Sequence, residues 1–197
     1  MKKSIKITLW SICGVIIALF ITLCVLLCLG FRFAPEAAVN GVYQDNTQIS
    51  TEEYIFYLDD VINSDNGETI YATSHVAAKK CGFLYKNAKK SDLIRCTLVA
   101  DNGDDVGTLF SYEGDGQIYH FIHWTLLIDD SVTPPESDIE DDSVSAYATM
   151  KYCTDNIIVN GVEKELYHYC YFITDEPIET LTIKGTNVSV IDSETEK

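Results

Sequence analysis

Residues 7–29 read ITLWSICGVIIALFITLCVLLCL, 23 positions without one charged side chain. At about 1.5 Å per residue a helix of this length covers roughly 35 Å, enough for the hydrocarbon core of a bilayer with some tilt. A buried helix of a soluble protein would carry a polar stripe at this length, and none is visible. The stretch therefore divides the chain into a short N-terminus (1–6), a membrane helix acting as signal anchor (7–29) and everything beyond it. Lys2, Lys3 and Lys6 precede the run and only Arg32 follows it closely. The positive-inside rule then places the N-terminus in the cytoplasm and the rest outside it, giving a single-pass cell-membrane protein with an extracytoplasmic C-terminal domain. A cleaved signal peptide fits less well. Its apolar core runs to about 7–15 residues, and Ala37 and Ala38 have Pro35 and Glu36 where a small residue is needed. Cys13, Cys24 and Cys28 inside the run read as soft apolar packing.

Charge follows the same division. Taking the three N-terminal lysines from 14 basic residues leaves 11 against 30 acidic ones, a net of −19 beyond the helix. Nucleic acid needs a basic footprint, so it is excluded as a partner. The composition suits cationic partners or divalent ions. About 165 residues, rich in Tyr and Phe, suffice for a real core.

Residues 30–50 read as a stalk with Pro35 and an Asn40-Gly41 turn. Ser50-Thr51-Glu52-Glu53 has the spacing of a capping box. Apolar residues then fall at Tyr54, Ile55, Leu58, Val61 and Ile62, which predicts one short helix over about 51–63. Beyond it the chain reads as strands and tight turns. Asn66-Gly67, Asn102-Gly103, Asp115-Gly116 and Asn160-Gly161 are hairpin dipeptides. Between them lie TIYAT (69–73), LIRCTLVA (93–100), VGTLFSY (106–112), IYHFIHWTLLI (118–128), VSAYATMKYC (144–153), ELYHYCYFI (165–173) and ETLTIK (179–184), rich in β-branched and aromatic residues. These predict a mainly-β, antiparallel, sandwich-like domain over 51–191. SHVAAKKCG (74–82) fits a helix capped by Ser74 and closed by Gly82. Residues 132–143 read as an acidic loop, and 192–197 as a polar tail. Leu58-Asp59-Asp60, Tyr71-Ala72-Thr73, Cys81 and Cys96 echo Ile128-Asp129-Asp130, Tyr147-Ala148-Thr149, Cys153 and Cys170. That echo divides the domain into similar halves, 51–116 and 117–191, unless it is coincidence.

Four cysteines follow the helix, an even number that outside the cytosol permits two disulfides. A hairpin centred on 160–163 sets Cys153 opposite Cys170, and one centred on 86–91 sets Cys81 opposite Cys96. Opposed residues on antiparallel strands lie within disulfide reach, so bridges 81–96 and 153–170 are expected.

His120 and His123 form an H-x-x-H spacing, but on a strand positions three apart point to opposite faces. No metal site is expected from them. Asp101-Asn102-Gly103-Asp104-Asp105 begins like a calcium loop yet lacks its later Gly and Glu. No nucleophile elbow, metalloprotease motif or phosphate loop occurs, so no catalytic residue and no cofactor is assigned. One cluster inverts the charge pattern: Lys79, Lys80, Lys86, Lys89, Lys90 and Arg95 hold six of the 11 basic residues beyond the helix within 17 positions. On a projecting hairpin they would contact anions such as surface polymers, lipid headgroups or an acidic partner. The expected function is a membrane-tethered extracytoplasmic binding or adaptor module whose partner is a protein or surface polymer. The alternatives are an accessory subunit of a larger membrane assembly and, less well supported, a surface enzyme.

Overall fold

A computed structural model describes residues 2–40, 47–63, 70–89, 92–125, 127–128, 148–149 and 151–192. Helix α1 runs Lys2–Cys28 and helix α2 Pro35–Ala38. Fourteen strands follow among the described residues. A four-stranded antiparallel sheet takes β1 (Gln48–Ser50), β2 (Tyr54–Asn63), β3 (Ile70–Cys81) and β4 (Leu84–Asn87), in that order. The remaining named strands are β5 (Ile94–Ala100), β6 (Asp105–Gly114), β7 (Gln117–Trp124), β8 (Leu127–Ile128), β9 (Ala148–Thr149), β10 (Asn156–Val159), β11 (Val162–Glu165), β12 (Tyr171–Thr174), β13 (Leu181–Ile183) and β14 (Thr186–Asp192). Eight of them form one sheet in the order β11-β10-β13-β14-β5-β6-β7-β12, and β8 pairs with β9. The mainly-β antiparallel architecture predicted from the strand pattern is present, with one short helix, α2, near the start of the region beyond α1.

The turns carry the registers. Asp115 and Gly116 both have positive φ between β6 and β7, as do Asn160 and Gly161 between β10 and β11, and Lys184 and Gly185 between β13 and β14. Two-residue loops of this kind twist with their strands and hold the pairing in place. Gly107, at φ 152°, stands where β6 faces Trp124, and a Cβ there would lie 2.3 Å from the His123 carbonyl oxygen. Only glycine fits this approach, next to an irregularity in the β5–β6 register at Leu98 and Val99.

The contacts divide the chain into two compact units, Met1–Tyr57 with Val76–Ala88, and Leu58–His75 with Lys89–Lys197. In the larger unit one apolar cluster joins Leu98, Leu109, Ile122 and Phe172 to Ile157, Ile183 and Val188. Strands β10 and β12 stand six places apart in the sheet order, yet both feed that cluster. The sheet therefore curls over its own core. In the smaller unit one cluster joins Ala38, Val39, Ile55, Tyr57 and Ala78, with Val76 and Tyr85 against it, and Tyr54, Phe56, Ala77 and Leu84 are buried as well.

Two local expectations are corrected. The helix over 51–63 is a strand, β2, and the Ser50–Glu53 pattern is the turn that enters it. Thr51 N–H donates to the Tyr54 carbonyl at 2.9 Å, and Tyr54 N–H donates to Thr51 Oγ1 at 3.0 Å. The hydroxyl thus closes a turn instead of capping a helix. Residues 54–58 are all buried, so the strand shows an unbroken apolar run and no alternation. The SHVAAKKCG segment is also a strand, the second half of β3. Asn66-Gly67 and the acidic loop at 132–143 lie outside the described residues.

Candidate functional site

The joint between α1 and the first sheet is the most constructed feature of the smaller unit. Helix α1 ends on Gly30, at φ 89°. Gly30 N–H donates to the Leu27 carbonyl at 3.1 Å and Phe31 N–H to the Leu26 carbonyl at 3.1 Å, the paired bonds of a Schellman stop. The Arg32 guanidinium donates to the Leu27 and Phe31 carbonyls, each at 2.8 Å, placing a cation at the negative end of the helix. Two residues beyond Gly30 the chain joins the sheet. Arg32 and Tyr85 exchange both main-chain hydrogen bonds at 2.8 Å, so Arg32 extends the sheet past β4. Pro35 opens α2, and Ala38 and Val39 enter the small core.

Around this joint, aromatic rings face outward. Phe33 is 57 % exposed and Phe83, in the β3–β4 turn, 75 %, and their rings stack at 6.5 Å. Leu29 is exposed beside them in sequence. Lys86 Nζ lies 5.0 Å from the Phe31 ring centroid and Lys79 Nζ 5.4 Å from that of Tyr54. Lys79 stands directly opposite Lys86 across β3 and β4. Lys80 donates to Ser50 Oγ at 3.2 Å and to the Thr51 carbonyl.

The basic cluster seen in the sequence is therefore divided. Lys79, Lys80 and Lys86 belong to the smaller unit, whereas Lys89 and Arg95 belong to the larger. The fingertip expected over 81–96 does not exist, because β4 turns back on β3 through Gly82 and Phe83, with Cys81 opposite Leu84. Lys90 lies outside the described residues. Arg95 sits over the Phe110 ring, 5.6 Å from its centroid.

The same registers overturn the two disulfides. Cys81, Cys96, Cys153 and Cys170 are all free. Cys96, on β5, is opposite Leu109 on β6 and lies in the other unit from Cys81. In the β10–β11 hairpin the turn is Asn160-Gly161, with Val159 opposite Val162, two residues tighter than the register that would oppose Cys153 and Cys170. Both thiols lie in the larger unit's core region, and burial pushes each up to about 12. Cys170 follows a turn in which His168 and Tyr169 both adopt positive φ, just before β12 begins.

The two faces of β6–β7 separate the histidines. His120 points inward and is 2 % exposed. Its Nε2 lies 2.9 Å from Thr174 Oγ1, whose hydroxyl donates to the Glu176 carbonyl at 2.7 Å. Nε2–H is therefore the donor, and Nδ1 accepts from Ser111 Oγ at 2.8 Å. On the opposite face His75 Nδ1 meets His123 Nε2 at 2.8 Å, and His75 Nε2 meets the Tyr112 hydroxyl at 2.9 Å. His75 also stacks on Phe121 at 4.1 Å. Burial lowers all three imidazoles, His120 and His123 to about 4 and His75 well below its ordinary value. They are neutral hydrogen-bonding groups at pH 7, poorly matched to general base work there. Sequence spacing placed His120 and His123 on opposite faces, but nothing in it brought His75, 48 positions away, to His123.

Among the described residues no three His, Cys, Asp or Glu side chains gather as a metal site. At the calcium-like turn Asp104 Oδ2 accepts from Lys151 Nζ at 2.6 Å, Tyr152 hydroxyl at 2.7 Å and Asn102 Nδ2 at 3.0 Å, so this carboxylate is tied to the β5–β6 turn and to Lys151 and Tyr152. No family model, curated protein or solved structure matches the chain.

Proposed function

We propose that this chain is a membrane-tethered extracytoplasmic binding module, held by α1 in a cell membrane with its N-terminus in the cytoplasm and presenting a sandwich-like β domain outside. The observation that carries the reading is the joint: a long helix stops at Gly30, and Arg32 is already paired into a sheet. A helix spliced this tightly to a sheet holds the module at a fixed height, as a spacer-free anchor does. Side chains of α1 are described at Trp10 and from Ile12 to Cys28, and among the described residues no helix is long and apolar enough to cross a membrane. The charge-free run begins further upstream, at Ile7, and its full 23 residues meet the length requirement.

A binding role suits the rest of the molecule better than catalysis. The buried imidazoles are neutral and bonded to one another or to hydroxyls, and the thiols are pushed up by burial, away from the nucleophilic thiolate. The strongly acidic surface beyond the helix favours a cationic protein or surface polymer as partner. Protease added to intact cells should remove everything beyond about residue 40 and spare an epitope fused to the N-terminus. Protection of the β domain in intact cells, with digestion only after lysis, would reverse the topology.

A further inference from the structure

We infer that the β3–β4 turn and the end of α1 form a foot that dips into the outer leaflet of the bilayer, with Phe33 and Phe83 in the acyl–headgroup boundary and Lys79 and Lys86 at the lipid phosphates. The inference rests on the membrane reading of α1. It adds that the β domain itself touches lipid, through a particular turn.

Three observations converge. The first is the exposure of Phe33 and Phe83, stacked on each other with Leu29 also exposed. A paired aromatic surface of this kind, open to solvent, marks a face made for an apolar or interfacial partner. The second is position. Phe31, Arg32 and Phe33 follow the Schellman stop directly, and Phe83 reaches them through the Arg32–Tyr85 pairing, all within one compact unit. The patch cannot move away from the level at which the apolar helix ends. At that level an apolar ring finds acyl chains and a cation finds phosphate. The third is charge. Lys79 and Lys86 sit side by side across the strands with their ammonium groups near the Tyr54 and Phe31 rings. Two cations at opposed positions of one strand pair present a doubled positive charge to a lipid phosphate. The body beyond the helix carries a net −19, so it is held off an anionic leaflet while the foot is drawn to it.

The test uses the full-length protein in vesicles of phosphatidylcholine, with and without phosphatidylglycerol. A photo-reactive p-azidophenylalanine is placed in turn at Phe83, at Phe20 within α1 and at Ile158 on β10. All three positions are exposed, so the substitutions leave the fold in place. After irradiation, lipid adducts are read by mass spectrometry. Adducts at 20 and 83 and none at 158 are expected, with the yield at 83 rising severalfold when phosphatidylglycerol is present. That rise should vanish in the Lys79→Gln/Lys86→Gln background. Adduct at 20 but none at 83 would overturn the foot while leaving the anchor intact. No adduct at 20 would overturn the anchor and the foot with it. Equal adducts at 83 and 158 would show a domain lying flat on lipid without a specific foot. A yield at 83 indifferent to both the lipid charge and the lysines would overturn the phosphate contact.

Discussion

The two units of the chain stabilise their sheets in opposite ways. The larger closes eight strands over one continuous apolar cluster, and its inward strand positions are filled by Leu98, Leu109, Ile122, Ile157, Ile183 and Phe172. The smaller buries fewer side chains among its described residues, three of them alanines (Ala38, Ala77 and Ala78) beside Tyr54, Phe56 and Leu84, and turns Phe33 and Phe83 outward. Buried apolar area contributes on the order of 25 cal/mol per Å², so the larger unit can stand on its own burial and the smaller cannot to the same degree. What the smaller unit has instead is main-chain continuity: the helix stop, the Arg32–Tyr85 pairing and the Thr51 turn. One region is built as a core and the other as a joint.

The sharpest way to break that contrast is at Gly107. Replacing it with alanine puts a methyl carbon 2.3 Å from the His123 carbonyl oxygen, a backbone atom that cannot swing aside. Either β6 separates from β7 or the strand irregularity at Leu98 and Val99 spreads. The cost should be about 3 kcal/mol or more, read as a lower urea midpoint of the full-length protein in detergent. An unchanged midpoint would mean that β6 and β7 do not approach as described. Gly30→Ala, which strains only the helix stop, should cost about 1 kcal/mol.

Acid should weaken the larger unit through its histidines. His120 and His123 titrate near 4 in the folded chain against about 6.5 when unfolded. A depressed histidine pKa means the unfolded state takes up the proton first. Stability from these groups is therefore complete above about pH 6.5 and declines toward pH 4, by roughly 1.4 kcal/mol per pH unit for each histidine inside that window. His120→Phe keeps the stack on Phe172 but leaves Ser111 without its buried partner, a loss of about 1–3 kcal/mol at pH 7. Because the variant has no imidazole to charge, its deficit should shrink as the pH falls to 4. A deficit constant between pH 7 and pH 4 would show that His120 is not held neutral by the core.

Much of the larger unit was legible in the sequence. Three hairpin dipeptides, Asn102-Gly103, Asp115-Gly116 and Asn160-Gly161, lie at turns, and the β5–β7 meander falls within a residue or two of its alternating runs. The Lys184-Gly185 turn was not read, because lysine rarely takes positive φ and so gives no signal. The smaller unit was harder to read for a physical reason. A strand buried on both faces has no period of two, so residues 54–58 matched a helical spacing by accident. The 153–170 register fails because the loop holds two residues where four were expected, which moves every opposed pair by two positions, and the 81–96 register fails because the chain turns back at Gly82-Phe83 while Cys96 lies on β5, paired with β6 and β14. The juxtaposition of Phe33 with Phe83, 50 positions apart, depends on the Arg32–Tyr85 pairing, which leaves no trace in local pattern.

Thiol reactivity gives a smaller, graded comparison of the two units. Cys81, half-buried on β3, should react with an alkylating agent in the folded protein. Cys96, Cys153 and Cys170 are buried and pushed up in pKa, so they should react only as fast as the larger unit opens. Mass spectrometry of the labelled, non-reduced protein should find all four thiols free after unfolding. A recovered 153–170 bridge would restore the looser hairpin register.

The smallest effect is expected at the lysines of the joint. Each ammonium near an aromatic ring contributes about 0.5–1 kcal/mol at an exposed site. Against that, Lys79 and Lys86 are like charges placed directly opposite, which costs a comparable amount on a sheet, roughly 0.2–1 kcal/mol. Replacing both with Gln removes the favourable and the unfavourable contact together. The net change in stability in detergent should therefore lie within about 0.5 kcal/mol of zero, below the effect of any substitution above. The single substitutions sharpen the point. Lys79→Gln alone relieves the repulsion while keeping the Lys86 contact with Phe31, so it should be the more stable of the two single variants if the Phe31 contact is the stronger. If the double variant instead melted well below the parent protein, the lysine–ring contacts would be a structural part of the joint, and the smaller unit would draw its stability from its surface, where the larger draws it from its core.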